Sequence, residues 1–538
     1  MSFDFKVISV FRYVRIVTGD KYKVSIDDAV IPIVEFREDQ MGKTFELETL
    51  RILINSSELK PLDLHQRIQR SLCTLILEGT LEPGMRLPAT RKLSQSLGIA
   101  RDTVENAYVQ LHRDGYIERR VGSGSYVTES LGRAVRGKSK RRGSAKGGKN
   151  DSSIDLGLSH RGEGYRKTGS VADTNSVKAF ITGLPETRTF PMAIWEKIQR
   201  QVTREYGEKA MLHGDPQGAE PLRKAIATYL NLERGANVAP NQILILSSTR
   251  QSLFLCAQLF SDHNKPILIE DPSYYGAKKV FEANGAPLIP VEVDEHGLKT
   301  AFLNSENTDA SFVYVTPSHQ YPTGVTLSLE RRLELIEWAA SNGKWIVEDD
   351  YDSEFHYEGL PTACVQGLDS YNRTIYLGTF SKTLFPGLRL GYMVLPSELV
   401  NIFVNARNII DGYTPQIPQL TLAHFMADGH YNTHIRAMRK LYAGRREVMV
   451  QSLEKYMSDI VDVIRPEGGL QIPCFLKEGW SEEETITKAR RHGINILGLS
   501  QLYTNEKKRE GWVLGYSSLS DYEIEKSVIA LSNVLRKK

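Results

Sequence analysis

The chain lacks the features that mark several large protein classes. Its four cysteines (Cys73, Cys256, Cys364 and Cys474) lie far apart, with no CxxC pair. That argues against a disulfide scaffold or a thiolate zinc site and fits a reducing, cytoplasmic setting. No apolar run reaches the roughly 18–20 residues of a membrane span, so no membrane partner is expected. The N-terminus is a poor signal peptide, because Lys6, Arg12 and Arg15 interrupt its apolar residues. No internal repeat recurs at solenoid periods. Net charge is only +3, so affinity for nucleic acid has to come from a local patch. What is present is ordinary for a globular protein, 41% hydrophobic and 25% charged. At 538 residues the chain is too long for one core, and two or more domains are expected.

Residues 1–40 alternate in places, as in Val30-Ile31-Pro32-Ile33-Val34. They read either as short strands or as sequence upstream of a start at Met41, and no role is assigned to them. From Pro61 the pattern turns helical: Leu64, Ile68, Leu72, Leu75 and Ile76 recur at helical spacing before Gly79. A turn, Leu81–Pro88, leads to a short helix at Thr90–Leu97, stopped by Gly98. A second helix runs from Arg101 to Asp114 with Val104, Ala107, Tyr108 and Leu111 on its apolar face. Two short helices joined by a tight glycine turn make a helix-turn-helix. Residues 116–127 then read as two strands around a Gly/Ser turn, a basic wing. Arginines and small polar residues at the start of the second helix suit base edges and phosphates in a major groove.

This segment resembles the winged helix of GntR-type bacterial regulators over about 61–128, within a domain placed at 41–128. The matching phrases are Arg86-Leu87-Pro88-Ala89-Thr90-Arg91, Leu97-Gly98-Ile99-Ala100-Arg101-Asp102-Thr103-Val104 and Leu111-His112-Arg113-Asp114-Gly115-Tyr116-Ile117. The resemblance implies double-stranded operator DNA as a partner. Arg91, Arg101 and Thr103 would contact it, and the wing residues Arg119, Arg120 and Gly122 would meet a phosphate or the minor groove. Ala100 departs from the pattern, since a serine N-cap is common there; its loss costs about 1 kcal/mol. Residues 129–150 offer Arg133, Arg136, Lys138, Lys140, Arg141, Arg142, Lys146 and Lys149 and almost nothing apolar. A basic flexible linker is expected over 129–177, either plain or tracking the DNA backbone.

Beyond 178, strand-like and helical runs alternate, as in α/β architecture. Candidate strands are Gln242–Leu246, Pro266–Glu270, Phe312–Thr316, Trp345–Glu348 and Thr374–Gly378. Ligands in such folds sit at the carboxyl ends of strands. After the first come Ser247, Ser248, Thr249 and Arg250, which read as a phosphate cup at a helix N-terminus or as plain N-capping. After the second, Tyr274 offers a ring to stack on a flat cofactor. After the third comes a polar turn, His319–Gly324. After the fourth, Asp349 and Tyr351 suit a pyridine nitrogen and a phenolate oxygen. The carboxylates of residues 348–354 could instead hold a metal, but lone His356 makes no ligand set, and no metal is expected. After the fifth, Thr379, Ser381, Lys382 and Arg389 lie in one hydroxyl- and aliphatic-rich stretch. A desolvated lysine amine can form a Schiff base with an aldehyde, while the hydroxyls and arginine hold a phosphate. Pyridoxal 5'-phosphate (PLP) is the cofactor this suggests; an ordinary buried turn with a snorkelling lysine is the alternative.

The order of these strand ends resembles the fold-type I PLP-dependent aminotransferases over about 178–535. With the winged helix in front, the chain resembles the MocR/GabR branch of the GntR family. Also matching are His213-Gly214-Asp215-Pro216-Gln217-Gly218, Leu222–Leu230 and His434–Arg439. The resemblance implies an aminotransferase-like PLP-binding domain at 178–538 and a homodimer. In it Lys382 is the Schiff-base lysine, Asp349 partners the ring nitrogen, Tyr351 the ring O3′, and Tyr274 stacks. Ser248, Thr249, Arg250, Thr379, Ser381 and Arg389 hold the phosphate. Three positions depart from the aminotransferase pattern. Tyr321 stands where asparagine usually precedes the Pro-Thr-Gly turn, and His213 replaces a tyrosine that often reaches the neighbouring subunit. Val513 aligns with the arginine that grips a substrate carboxylate, with Arg509 nearby in sequence. The expectation is therefore a transcription regulator sensing an amino compound or PLP itself. A working aminotransferase with a secondary DNA-binding domain is the alternative.

Overall fold

The computed structural model describes residues 47–131, 157–169 and 178–537, apart from 263, 305–308, 360–361 and 506–507. The readings of residues 1–40 and of the basic run 132–150 lie outside the described residues. The chain divides into two compact units, Met1–Ser153 and Ile154–Lys538.

Among its described residues the first unit has α-helices α1 (Leu47–Ile54), α2 (Leu64–Leu77), α3 (Thr90–Leu97) and α4 (Arg101–Arg113), then a hairpin of β1 (Ile117–Arg120) and β2 (Gly124–Val127). Helix α1 was not expected from the sequence. Its Leu50 and Ile54 enter one core with Ile68, Leu72, Leu93, Val104 and Leu111. A helix of eight residues is marginal alone, so burial of this edge is what holds it. The wing pairs antiparallel with Ile117 opposite Val127 and Arg120 opposite Gly124. This register buries Ile117 and Val127 at the base and leaves the arginines outside.

The second unit is built on β3 (Ile243–Leu246), β4 (Ile267–Asp271), β5 (Leu288–Asp294), β6 (Gly297–Leu298), β7 (Phe312–Val315), β8 (Trp345–Asp350), β9 (Thr374–Thr379) and β10 (Gly391–Val394). They form one sheet in the order β3-β10-β9-β8-β7-β4-β5-β6. Strands β9, β8, β7, β4 and β5 run parallel. The central strands are buried on both faces, so they read as continuous apolar runs. Strand β10 is antiparallel to both β9 and β3. Two reversals restore direction, so β3 releases its carboxyl end at the same edge as β9. A second, antiparallel sheet joins β11 (Val461–Val463), β12 (Gln471–Leu476), β13 (Leu497–Gly498) and β14 (Gly511–Gly515) in the order β11-β12-β14-β13. A long helix, His430–Met457, packs on the helix Asp521–Arg536 beside it.

The expected linker needs one correction. Inside 129–177 the structure has a helix, His160–Thr168, capped by Ser159, whose hydroxyl accepts from the Gly162 amide. It lies on the helix Tyr275–Ala283, where Gly164 comes so close that a Cβ would sit 3.3 Å from the Ala283 carbonyl. The segment is too polar to announce itself by periodicity; glycine at the contact lets the backbones meet.

Candidate nucleic-acid interface and candidate cofactor site

In the first unit Gly98 ends α3 at φ +69°, with open space where a side chain would go. Glycine is required there by backbone conformation, and it sets the turn between the two helices. Ala100 supplies no side-chain cap to α4, as the sequence implied, and Asp102 lies in the first turn. The buried Tyr108 hydroxyl donates to the Pro88 carbonyl at 3.0 Å, tying α4 to the entry of α3. Arg91, Arg101 and Arg120 are exposed, Thr103 is half-buried, and Gly122 sits at the wing tip with φ +73°. Arg119 is placed differently: its Nη2 pairs with Glu105 Oε1 of α4 at 2.7 Å. That arginine braces the wing against the helix. Arg120 lies over the Tyr126 ring, 4.8 Å from its centre, and Arg86 lies at 6.0 Å from the same ring. Arg86 was not among the expected contacts; only the fold puts it beside the wing.

In the second unit the strand ends converge because of register. Gly391 faces both Thr379 and Leu246. A Cβ at Gly391 would lie 3.7 Å from Ser248 Cα, so the start of β10 lies against the Ser248 backbone. Thr379 is therefore one strand away from Leu246, which leads through Ser248 into the helix Thr249–Phe260. Ser248 caps that helix, its hydroxyl accepting from the Gln251 amide at 3.3 Å. Capping and anion binding are compatible in principle, because both use the N–H groups and the positive dipole end of a helix N-terminus. Arg389 adopts φ +53° and is exposed. The Thr379 hydroxyl accepts from the Ser381 amide at 3.2 Å.

Alternation along β8 sorts its acids. Glu348 and Asp350 face one side, and Asp349 the other. Asp350 Oδ2 is held by Arg234 at 3.0 Å and by the Tyr376 hydroxyl at 2.7 Å. Burial works against that carboxylate, yet Arg234 holds it below its ordinary range. Asp352 pairs with His319 Nδ1 at 2.8 Å. Asp349 Oδ2 accepts from the Tyr314 hydroxyl at 2.8 Å, and its buried Oδ1 has no hydrogen-bond partner. Burial pushes Asp349 up to about 7, with Tyr314 and the Lys382 ammonium pulling the other way. Lys382 thus lies near enough to act on Asp349. Its Nζ donates to the Gly183 carbonyl at 2.7 Å.

Aromatic rings line the approach. Tyr274 folds over Gly276, where any Cβ would overlap its ring. Its ring centre is 5.5 Å from that of Tyr321, which is 6.1 Å from that of Tyr351, both edge-on. The Tyr351 hydroxyl donates to the His319 carbonyl at 3.0 Å. Tyr321, the departure noted in sequence, joins the other two rings and also packs on a small apolar cluster of Phe475, Leu499, Leu502 and Val513. Val513 is buried within that cluster. The exposed Arg509 lies on the Phe475 ring, 3.4 Å from its centre. His213 stands 5.3 Å from Tyr413, ring to ring. Tyr314, Thr182 and Gly183 belong to the site but carry no sequence signal: two are hidden in apolar or polar runs, and one acts through a carbonyl.

These residues fit a phosphorylated pyridine aldehyde. The unpartnered Asp349 Oδ1 could accept from a ring N–H, Lys382 could offer an amine, and the Ser248–Arg250 turn with Arg389 could hold an anion. Among the described residues no cluster of His, Cys, Asp and Glu could hold a metal ion.

The profile for bacterial regulatory proteins of the gntR family matches residues 64–127, and that for aminotransferase class I and II matches 183–513. The chain is 32% identical to the probable rhizopine catabolism regulatory protein MocR of Rhizobium meliloti, over 87% of this chain and 93% of that one. It belongs to the MocR/GabR-type branch of the GntR regulators. The pyridoxine biosynthesis regulator PdxR of Corynebacterium glutamicum is 30% identical over 88% of this chain and 95% of its own. Among solved structures, the kynurenine aminotransferase of Pyrococcus horikoshii, in complex with PMP, is 27% identical. It covers 72% of this chain and 96% of its own, with a TM-score of 0.63. The α-aminoadipate aminotransferase LysN of Thermus thermophilus, complexed with N-(5'-phosphopyridoxyl)-L-leucine, is also 27% identical, covering 70% and 97% with a TM-score of 0.64. This MocR-type chain is thus a transcription regulator with a GntR-type DNA-binding domain fused to a fold-type I, aminotransferase-like domain. Among the described residues no helix is long and apolar enough to cross a membrane.

Proposed function

We propose that this regulator binds PLP through Lys382 and uses the loaded domain to sense an amino compound or PLP itself, adjusting operator binding by the winged helix. The observation that carries the reading is a buried, half-satisfied Asp349 whose carboxylate feels the charge of an amine, Lys382. When bound, PLP supplies an aldehyde for an amine to join and a ring that withdraws electrons. The chain's own part is to hold it. Asp349 Oδ1 accepts the ring N–H, which lowers the energy of the carboxylate that burial disfavours. Tyr274 covers the ring face. Tyr351 turns from the His319 carbonyl to the ring oxygen. Ser248, Thr249, Arg250, Thr379, Ser381 and Arg389 take the phosphate.

On the DNA side, Arg91, Arg101 and Thr103 meet the major groove, while Arg120 and Gly122 meet the backbone or minor groove. Arg119 serves DNA only by leaving Glu105, so we assign it first to bracing. The domains proposed are 41–128 for DNA and an aminotransferase-like part that includes the helix at 160–168. A homodimer in the cytoplasm is part of the reading. Met211, Leu212 and Ile409 are 74%, 63% and 87% exposed, close to the His213–Tyr413 pair. Such a patch suits a second copy of the chain.

The test is a titration of purified protein with PLP, followed by borohydride reduction and peptide mapping. A label on Lys382, lost in Lys382→Ala, supports the reading; label elsewhere, or none, refutes it. A second reading, a working aminotransferase, draws on Arg509, the exposed guanidinium over Phe475 in the cluster that buries Val513. Turnover of amino acids at about 1 per second or faster, abolished by Arg509→Ala, would favour it.

A further inference from the structure

We infer that the segment Phe180–Leu184 is a strap that reads the state of Lys382 and passes it to the chain leading to the DNA-binding domain. The inference rests on the assignment of Lys382 above and deepens it. The strap lies directly over the lysine: Gly183 takes φ +66°, and its carbonyl accepts from Lys382 Nζ at 2.7 Å. A Cβ at Gly183 would sit 2.5 Å from that nitrogen, so glycine is what admits the amine. One residue earlier, Thr182 lies beside Tyr321, the ring that joins Tyr274 to Tyr351. The middle of the strap is thus bonded to the lysine and adjoins the ring cluster.

Its ends are tied to the second sheet. The Gly515 amide donates to the Phe180 carbonyl at 3.1 Å, and a Cβ at Gly515 would overlap the Ile181 carbonyl. The Ser517 hydroxyl donates to the Leu184 carbonyl at 2.6 Å. Phe180 itself holds φ +65°, a conformation L-residues rarely adopt, with its ring buried. In sequence, residues 129–177, which include the helix His160–Thr168, separate the strap from the wing.

The chemistry of attachment acts on this strap. When the lysine ammonium condenses with an aldehyde, two of its protons leave with the aldehyde oxygen as water. The nitrogen keeps one proton and is drawn to the ring. The half-buried Gly183 carbonyl then loses its donor, and the strap has to find a new balance of bonds. An effector amine that displaces Lys382 from the aldehyde gives the lysine its protons back and restores the bond. The winged helix lies N-terminal to the strap on the same chain.

The test uses the full-length protein and amide hydrogen exchange, with and without PLP. Amides of residues 181–184 and Gly515 should change their exchange rate by about fivefold or more on loading, and not in Lys382→Ala. Ser517→Ala should still take the borohydride-fixed label at Lys382, yet lose at least about half of the PLP-dependent difference in affinity for a duplex spanning the chain's own promoter. Label at Lys382 with unchanged exchange in 181–184 overturns the strap alone. So does a wild type with no PLP-dependent difference in duplex affinity, or a Ser517→Ala protein that keeps it whole. Absence of label overturns the cofactor assignment and the strap with it.

Discussion

The Tyr314 hydroxyl donates to Asp349 Oδ2 at 2.8 Å, while Asp349 Oδ1 has no partner. Tyr314 lies on β7 and Asp349 on the neighbouring β8, so parallel pairing delivers a phenol to an acid that follows it by more than thirty positions. The bond holds one oxygen and so presents the other to the site.

Tyr314→Phe should therefore weaken PLP binding without removing the attachment lysine. A hydrogen bond to a charged group is worth about 1.5–3 kcal/mol, so the dissociation constant should rise roughly tenfold or more. Spectral titration of both proteins checks this; equal affinities would mean that Tyr314 does not support Asp349.

The pH dependence of Asp349 has a definite sign. Its pKa is raised to about 7 by burial, so the folded protein without PLP binds its proton more tightly than the unfolded chain. The stabilising effect is present below the unfolded value of about 4 and is lost as pH rises through about 7. Asp349→Asn cannot ionise. The melting temperature of PLP-free wild type, measured against that of Asp349→Asn, should therefore fall between about pH 4 and pH 7. PLP should reverse part of the loss at pH 7 and above, because a ring N–H stabilises the carboxylate. A difference between the two proteins that is flat with pH would rule out a raised Asp349.

Arg234 and Asp350 form a pair in which both side chains are almost fully buried. Removing the cation strands a carboxylate that Tyr376 alone cannot satisfy. Arg234→Ala should cost about 3–5 kcal/mol in denaturant unfolding of the second unit. A loss below about 1 kcal/mol would indicate water entry or a replacement cation.

Arg101→Ala should weaken duplex binding by about 1–3 kcal/mol and leave PLP loading unchanged. Fluorescence anisotropy with a labelled promoter fragment, beside a PLP titration, separates the two effects. Loss of both together would mean that the two units are not independent in folding.

Much of the fold was legible because local rules are strong where apolar runs are bounded by turns. The five expected strands end within two residues of β3, β4, β7, β8 and β9, and α3 and the start of α4 fall where glycine and periodicity put them. Helix α1 escaped, because a helix of eight residues is held by its neighbours rather than by its own periodicity. The helix at 160–168 escaped because its contact is made by glycine against backbone, which leaves no apolar stripe. Arg119 looked like a DNA contact, yet it is paired with Glu105, fourteen positions earlier on another element.

By itself, the sequence determined the kinds of chemistry present: an amine in an apolar stretch, acids after a buried strand, hydroxyls at a helix start, and a helix-turn-helix with a basic wing. Those follow from residue type and short spacing. Only the tertiary structure decided which groups meet. It separated Asp349 from Asp350 by strand alternation and gave Arg234 to the latter. It laid Gly183 over Lys382 across 199 positions of sequence, because a strap paired with β14 passes that way. Spacing cannot carry such information, since a carbonyl of any residue would serve and only packing selects the one that lies in reach.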